Sequence, residues 1–194
     1  IYKDIFFITV FVLITTFLIW LPHLLSLLNF WGFNFPSGFN TIYRNFDGLE
    51  YVIIAKSFYN PNLIALIPQS LPDIYYASHF PGFPILIALF APFLGFLKSM
   101  LFVSLIFTIA SAVAFYLLVR NFKLTSNPLW LTLIFLILPA RWIIVRAVGS
   151  PEPVFIFFII MSLYFFLKAT SRFPALSEPV LSVAEVVEGP LPTS

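Results

Sequence analysis

Cysteine is absent from this sequence, and charged side chains are few. A chain without thiols forms no disulfide, has no cysteine nucleophile and cannot bind zinc through thiolates. Charged residues make up 9% of the chain, whereas an ordinary soluble domain is about a quarter charged. So few charges cannot cover a water-facing surface, which excludes an ordinary soluble protein. The net charge of +2 and the lack of a basic run indicate no nucleic acid partner.

Hydrophobic residues make up 61% of the chain and gather in long runs. Residues 5–21, IFFITVFVLITTFLIWL, carry no charge and are long enough to cross a bilayer if the helix continues through PHLLSLL. A signal peptide would have a shorter apolar core and a small-residue cleavage site, so we predict an uncleaved spanning helix. Further apolar stretches lie at 83–97, 99–119, 128–145 and 154–167. We therefore predict an all-α, multi-pass integral membrane protein, placed in the plasma membrane if the source is prokaryotic.

Two segments differ from these runs. Residues 29–82 contain scattered charges, many Asn, Pro and Ser, and many aromatic rings, so they are too polar to span and too apolar for a free linker. Aromatic rings are favoured at membrane interfaces, and we predict a folded external loop there. Residues 171–194 lose the aromatics and are rich in Pro, Ser, Val and Glu, which predicts a disordered tail. The membrane domain would thus cover residues 1–170.

The positive-inside rule gives two arrangements. Lys3 places the N-terminus in the cytoplasm, so the loop at 29–82 lies outside. If residues 83–97 span the membrane, the basic residues that follow the later runs fall outside as well, against the rule. If residues 83–97 are a re-entrant or surface helix, which their short length and Pro92 favour, those basic residues return to the cytoplasm. Only this second arrangement brings Asp47 and Glu152 to the same face of the membrane.

Charge is concentrated in the stretch YRNFDGLEYVIIAKSFYN, residues 43–60. Asp47 and Glu50 form a capping-box-like pattern before LEYVIIAKSF, and a capped interfacial helix explains Glu50 and Lys56 well. For Asp47 the alternative is equally open. A carboxylate at the outer surface, flanked by Arg44 and by aromatic rings that can stack on sugars, suits general-base chemistry on a hydroxyl.

A second acid, Glu152, lies between prolines in GSPEPVF, just before an apolar run. It suits the first turn of a helix, where the dipole favours an acid, but an acid at membrane depth often marks a site. Arg141 and Arg146 flank the apolar tetrapeptide WIIV. Snorkelling to lipid headgroups explains Arg141, and the alternative for either arginine is a clamp on a lipid phosphate.

The sequence does not require a metal. His79, in SHFPGFP, has only His23 as a companion, which is not metal-site spacing, so a loop histidine is the simpler interpretation. Asp47, Glu50 and Glu152 could together hold a divalent cation, although no pattern demands one. We therefore name no metal ligands and expect a divalent cation only as a possible cofactor.

The order of these features resembles the GT-C glycosyltransferases, integral-membrane enzymes with a large external loop after the first helix. NFDGLEYVIIAKSFY resembles the W-D-(x)n-Y/F-(x)n-I-A-(x)n-Y motif of the GPI mannosyltransferase 2 family, and HFPGFPILIALFAPF is similar to the F-F-P-x-Y-P-x-L segment that follows it there. GSPEPVFIFFIIMSLYFFL is similar to the Ser-Glu-Ser-leading helix of that family, and to the acid–Pro helix of protein mannosyltransferases and aminoarabinose transferases. The resemblance covers roughly residues 1–168. It departs from the pattern at Phe46, where Trp is usual, and at the prolines around Glu152.

The resemblance implies transfer of a mannose-like hexose from a polyprenyl-phosphate sugar to a lipid, glycan or protein hydroxyl on the outer face. Asp47 matches the catalytic acid of the first external loop, and Glu152 matches the second acid. The remaining residues expected to contact substrate are Arg44, Glu50, His79 and Arg146. Because the chain begins with Ile and such enzymes have further helices, we expect it to be an N-terminal part that is inactive alone.

Two functions of other classes remain open at this stage. A transporter or channel fragment would place ionisable groups inside the spanning helices, whereas these runs are nearly free of charge. A structural membrane subunit would have no chemistry at all. In that case replacing Asp47 by Asn would change only stability, by roughly 1 kcal/mol for a lost helix cap.

Overall fold

The computed structural model describes residues 1–68, 71–138 and 140–172. Within them the regular structure is helical, apart from an isolated antiparallel bridge between Phe30 and Phe33. The helices are α1 (Tyr2–Leu24), α2 (Asn40–Tyr43), α3 (Gly48–Ser57), α4 (Pro61–Ile64), α5 (Asp73–Ala77), α6 (Gly82–Leu94), α7 (Phe96–Asn121), α8 (Pro128–Ile137), α9 (Ala140–Val145) and α10 (Glu152–Arg172). The all-α prediction is therefore confirmed for these ranges. The predicted disordered tail lies outside the described residues, apart from its first two positions.

Three helices, α1, α7 and α10, are long and apolar enough to cross a membrane. They contain the predicted runs at 5–21, 99–119 and 154–167. Two apolar helices are shorter, α6 with 13 residues and α8 with 10. The predicted run at 128–145 divides into α8 and α9, because Leu138 has an extended backbone with φ −110° and ψ 140°. A residue that precedes proline favours such a conformation.

Helix α7 is the centre of the molecule and packs against α1, α3, α6, α8 and α10. Its buried face carries small residues, including Ser104, Thr108, Ser111 and Ala112, which allow neighbouring backbones to approach closely. Helix α6 packs beside α7 through Phe90 and Phe102, after a turn at Gly95 with φ +77°. A positive φ of this kind is readily adopted only by glycine.

Hydrogen bonds show which ends of the long helices lie together. Tyr116, near the end of α7, donates to Asp4 at the start of α1. Asn121, the last residue of α7, donates to Tyr164 in the second half of α10. At the opposite end the Trp20 indole donates to the carbonyl of Ala147, just before α10. Helices α7 and α10 therefore run in the same direction, and α1 runs against them.

We name the two ends of the bundle the basic end and the acidic end, after the residues at each that matter for orientation and for the candidate site, and not after their net charge. The basic end, where α1 starts and α7 and α10 finish, carries Lys3, Arg120, Lys123 and Lys168. The acidic end carries α3 and the start of α10, with the candidate acids. It also holds five basic residues: Arg44, Lys56, Lys98, Arg141 and Arg146. A count of basic residues therefore does not by itself orient the chain, and the cytoplasmic position of the basic end stays a prediction.

Candidate functional site

The predicted capping box at the start of α3 does not form. Asp47 occupies the N-cap position, but its side chain makes no capping hydrogen bond. Its Oδ1 instead accepts a hydrogen bond of 3.3 Å from the hydroxyl of Tyr75. Oε2 of Glu50 is buried and has no hydrogen-bond partner among the described residues. Neither acid caps the helix through its side chain, so the predicted capping box is wrong. The predicted helix itself forms as α3, with Asp47 at its N-cap position and Glu50 in its first turn.

Two glycines bring Asp47 and Glu152 together from distant parts of the sequence. A Cβ atom on Gly48 would lie 3.1 Å from the carbonyl oxygen of Gly149 and 3.2 Å from Sδ of Met100. A Cβ atom on Gly149 would overlap the Met100 side chain. The start of α3 and the segment before α10 can therefore pack this closely only without side chains at these positions.

Serine side chains of α7 fix the segment that leads into α10. Ser104 Oγ donates to the carbonyl of Ser150 at 3.1 Å and accepts from the Ser150 amide at 3.2 Å. Ser111 Oγ donates to the carbonyl of Pro153 at 2.9 Å. Because these bonds are buried, they are well protected from water and hold Glu152, the first residue of α10, at the rim of the bundle.

Asp47 and Glu152 line one small cavity of about 110 Å³, which we name the acidic cavity. Its walls are Phe46, Asp47, Tyr51, Arg141, Gly149, Ser150, Pro151 and Glu152. Glu152 Oε2 and Ser150 Oγ are buried without a hydrogen-bond partner in the described part of the chain. Buried polar atoms normally have partners, so these two point to a ligand or water that completes the cavity.

Tyr51 is an uncharged donor in this cavity. Burial, and after it the negative charges of Asp47 and Glu152, together raise its pKa to about 12. The hydroxyl therefore stays protonated at neutral pH and can donate a hydrogen bond to an anionic or hydroxylated ligand. The pKa of Tyr75 is also raised, by desolvation first and then by the charge and hydrogen bond of Asp47.

His79 lies behind the cavity and supports the two tyrosines. Its ring packs against the rings of Tyr51 and Tyr75, each with a centroid distance of 5.0 Å. The Nδ1 atom of His79 lies 3.1 Å from the Tyr75 carbonyl oxygen. The carbonyl of His79 accepts a hydrogen bond of 2.7 Å from the Tyr59 hydroxyl. These contacts place His79 where it can position Tyr75, and it does not line the acidic cavity.

The three candidate arginines have different surroundings. Arg141 lines the acidic cavity, with its guanidinium 5.5 Å from the centre of the Phe46 ring. Arg146 is fully buried elsewhere and donates to Thr15 at 2.8 Å and to Thr16 at 3.3 Å. Arg44 lies on the far side of Phe46, in a separate cavity.

The acidic cavity is the middle of three cavities that share residues. A polar cavity of about 550 Å³ meets it at Phe46 and is lined by Ser37, Asn40, Thr41, Arg44, Asn45 and Phe46. An apolar cavity of about 440 Å³ meets it at Arg141 and Glu152 and is lined by Phe135, Leu138, Arg141, Trp142, Val145, Glu152 and Ile156. The two acids therefore lie between a polar and an apolar compartment.

Of the residues that sequence reasoning selected, Asp47 and Glu152 are brought together, Arg44 is adjacent, and Glu50, His79 and Arg146 lie outside the acidic cavity. Tyr75 was missed, since nothing in the sequence signals a contact between α5 and Asp47. Arg141 was noted, but its position beyond the break at Leu138 hid its approach to Phe46. Tyr51 lies one turn after Asp47, and this spacing is the signal that identifies it.

The described residues contain no group of three or more His, Cys, Asp or Glu side chains that could hold a metal ion. Asp47, Glu50 and Glu152 therefore do not form the three-carboxylate cluster considered from the sequence. Any cation would have to take most of its ligands from substrate and water, as Mg²⁺ often does with phosphates.

No protein-family model matches this chain, and comparisons with curated proteins and with solved structures give no significant match.

Proposed function

We propose that this protein is a membrane glycosyltransferase of the GT-C type. It would move a mannose-like hexose from a polyprenyl-phosphate sugar to an acceptor hydroxyl on the outer face of the membrane. One observation carries the proposal: Asp47 and Glu152 share a cavity that lies between an apolar and a polar compartment. A lipid-linked donor needs apolar surroundings for its lipid, and a hydroxyl acceptor needs polar ones.

The apolar cavity suits the lipid part of the donor. Its walls are aliphatic and aromatic except at Arg141 and Glu152, where it meets the acidic cavity. A polyprenyl chain lying there would bring its phosphate towards Arg141, whose guanidinium binds phosphate oxygens in a bidentate way. Arg146 is less suited to this role because two of its nitrogens already donate to Thr15 and Thr16.

Asp47 suits the role of general base. In the transfer step the acceptor hydroxyl gives its proton to Asp47 while its oxygen forms a bond to the anomeric carbon. The bond from that carbon to the phosphate oxygen breaks, and polyprenyl phosphate leaves with the electron pair, stabilised by Arg141. The carbon passes through an oxocarbenium-like state, for which a second carboxylate, Glu152, supplies a nearby negative charge.

The rival functions predict different surroundings for the acids. A transporter usually places its ionisable groups within the membrane, at the middle of broken helices. Here Asp47 lies outside the three long helices, and Glu152 is the first residue of one of them. A purely structural subunit would use its carboxylates in capping hydrogen bonds or in ion pairs. Among the described residues Asp47 makes no capping hydrogen bond, and neither acid forms an ion pair.

The test is a transfer assay in isolated membranes on the full-length gene product and on its Asp47→Asn variant. Release of radiolabelled sugar would be followed from polyprenyl-phosphate mannose and polyprenyl-phosphate glucose. We expect transfer by the wild type and a loss of about 10²–10⁴-fold in the variant, the usual effect of removing a general base. Asp4→Asn, the same change at the basic end, should retain transfer.

The amount of folded protein in the membrane is the control for each variant. If the folded wild type transfers sugar from no lipid donor, the transporter or structural reading replaces this proposal. If Asp47→Asn and Asp4→Asn lose equal activity, Asp47 is not the base.

A further inference from the structure

The polar cavity beside Phe46 is large enough for a ligand of its own. Its volume of about 550 Å³ falls within the usual range for small-molecule sites, roughly 300–1,000 Å³. It is lined by Ser37, by residues of α2 and by the turn that follows, and these residues carry hydroxyl, amide and guanidinium groups. The acidic cavity beyond Phe46 is much smaller, at about 110 Å³, and has room only for the reacting end of a substrate.

The lining of this cavity selects a hydrophilic ligand with a negative charge. Of the six described residues that line it, one is cationic and none is acidic. No carboxylate in the described part of the chain lies within 4.0 Å of the Arg44 guanidinium, and no side-chain hydrogen bond from it is present there. The guanidinium is therefore available for a phosphate or carboxylate, while Ser37, Asn40 and Thr41 can bind sugar hydroxyls.

Phe46 joins this cavity to the catalytic acids. It lines both cavities and has a φ of +50°, a left-handed conformation that is unusual for a bulky aromatic residue. A similar backbone conformation occurs elsewhere at Trp31, Phe58 and Tyr59. The position of Phe46 between the two cavities, and not its φ, therefore sets it apart. The Arg141 guanidinium also lies 5.5 Å from the centre of the Phe46 ring. The Phe46 side chain therefore lies between Arg44 and Arg141 and borders both cavities.

We propose that the polar cavity is the acceptor site and that it takes a sugar carrying a phosphate or carboxylate group. Arg44 would bind the anionic group, and the reacting hydroxyl would extend past Phe46 to Asp47. This inference rests on the proposed function and narrows its acceptor from a lipid, glycan or protein to an anionic carbohydrate. The compartment lined by apolar side chains lies on the opposite side of the acids and serves the donor lipid.

Direct binding tests the site without relying on catalysis. The protein would be reconstituted in phosphatidylcholine nanodiscs and titrated with mannose 6-phosphate, methyl mannoside and inorganic phosphate. We expect mannose 6-phosphate to bind more tightly than either of the other two ligands. Only mannose 6-phosphate has both a phosphate for the Arg44 guanidinium and sugar hydroxyls for the polar side chains of the cavity. A fourth titration, with nanodiscs containing phosphatidylinositol, distinguishes a lipid headgroup from a free sugar phosphate as the source of the anion.

Two variants with the same charge change give the matched comparison. Arg44→Gln should weaken mannose 6-phosphate binding by about 10–100-fold, the effect of losing a charge-assisted hydrogen bond. Lys56→Gln removes a positive charge from the same end of the bundle but outside the polar cavity, and should bind as the wild type does. Arg44→Lys should recover part of the loss. Because Arg44 is exposed, its replacement should leave thermal unfolding unchanged.

The outcomes separate the site from the reaction. No binding by the wild type, or an equal loss in Arg44→Gln and Lys56→Gln, overturns the acceptor site. Binding that depends on Arg44 in a protein that transfers no sugar keeps the anionic-carbohydrate site and overturns the glycosyltransferase. Sugar transfer with the same acceptor KM in Arg44→Gln and wild type keeps the enzyme and overturns the site.

Discussion

The carboxylates at the two ends of the bundle are treated differently by their surroundings. At the basic end, Asp4 Oδ2 accepts a hydrogen bond of 2.5 Å from Tyr116, whose hydroxyl in turn accepts from Arg120 at 3.0 Å. At the acidic end, Glu152 Oε2 is buried and has no partner in the described ranges. The first arrangement is complete and holds α1 to α7. The second leaves Glu152 Oε2 without a protein partner among the described residues, and burying a carboxylate oxygen in this way costs stability.

The largest expected effect comes from exchanging these two acids for amides. Glu152→Gln should reduce sugar transfer by about 10²–10³-fold, because it removes the charge opposite a positive transition state. Asp4→Asn should leave transfer intact and lower the free energy of unfolding by about 1 kcal/mol, the usual value of one hydrogen bond. Transfer rates and denaturant unfolding of both variants would be measured side by side.

The stability of Glu152→Gln sharpens this comparison. A neutral amide is easier to bury than an unpaired carboxylate, so the variant should be at least as stable as the wild type. A clear loss of stability would mean that Glu152 is a structural acid like Asp4, and the contrast between the two ends would fail.

The next largest effect should come from the close approach that brings the acids together. Gly149→Ala places a Cβ into the Met100 side chain, and overpacking of this kind costs about 1–3 kcal/mol. Transfer should fall with stability, because either the Met100 side chain of α7 or the segment before α10 must move to make room. Gly82→Ala, at a glycine whose Cβ would meet nothing within 4 Å, is the matched control. Equal unfolding midpoints for the two variants would show that the approach is not tight.

Much of the fold was predictable because long apolar runs dictate spanning helices. The runs at 5–21, 99–119 and 154–167 predicted α1, α7 and α10 from length and composition alone. The break between α8 and α9 was not predicted, since residues 128–145 form one apolar run in the sequence, although the break lies just before a proline. The pairing of Asp47 with Glu152 was anticipated, from an argument about which loops share a face.

The surroundings of individual side chains were not predictable, because they depend on tertiary contacts. The spacing of Asp47 and Glu50 indicated a capping box, but Tyr75 competes for the Asp47 carboxylate from a different helix. Arg141 and Arg146 look alike in sequence, and only packing against Thr15 and Thr16 separates a buried arginine from one at the cavity. The polar cavity has no motif, because it is formed by scattered residues around a short helix and a turn.

A smaller effect is expected from the residue that holds Asp47. Tyr75→Phe removes the hydrogen bond to Oδ1, and at 3.3 Å this bond is longer than the usual O–H···O distance. We expect kcat to fall about 3–10-fold with the acceptor KM unchanged, since the base remains but is less well oriented. Tyr2→Phe, the same change near the start of α1, should have no effect on kcat. A loss as large as that of Asp47→Asn would make Tyr75 a catalytic group rather than a positioning one.

The smallest effect concerns Tyr51 and alkaline pH. Its pKa is raised to about 12 in the folded protein, from an ordinary value of 10.0. The folded state therefore keeps a proton that the unfolded state loses between these values, so the stabilisation is complete below pH 10 and disappears as pH rises to about 12. The thermal midpoint of the wild type should fall more steeply over this interval than that of Tyr51→Phe. Parallel curves for the two proteins would show that the burial and negative charge around Tyr51 are not felt in solution, and the view of the acidic end as a compact, charged site would weaken.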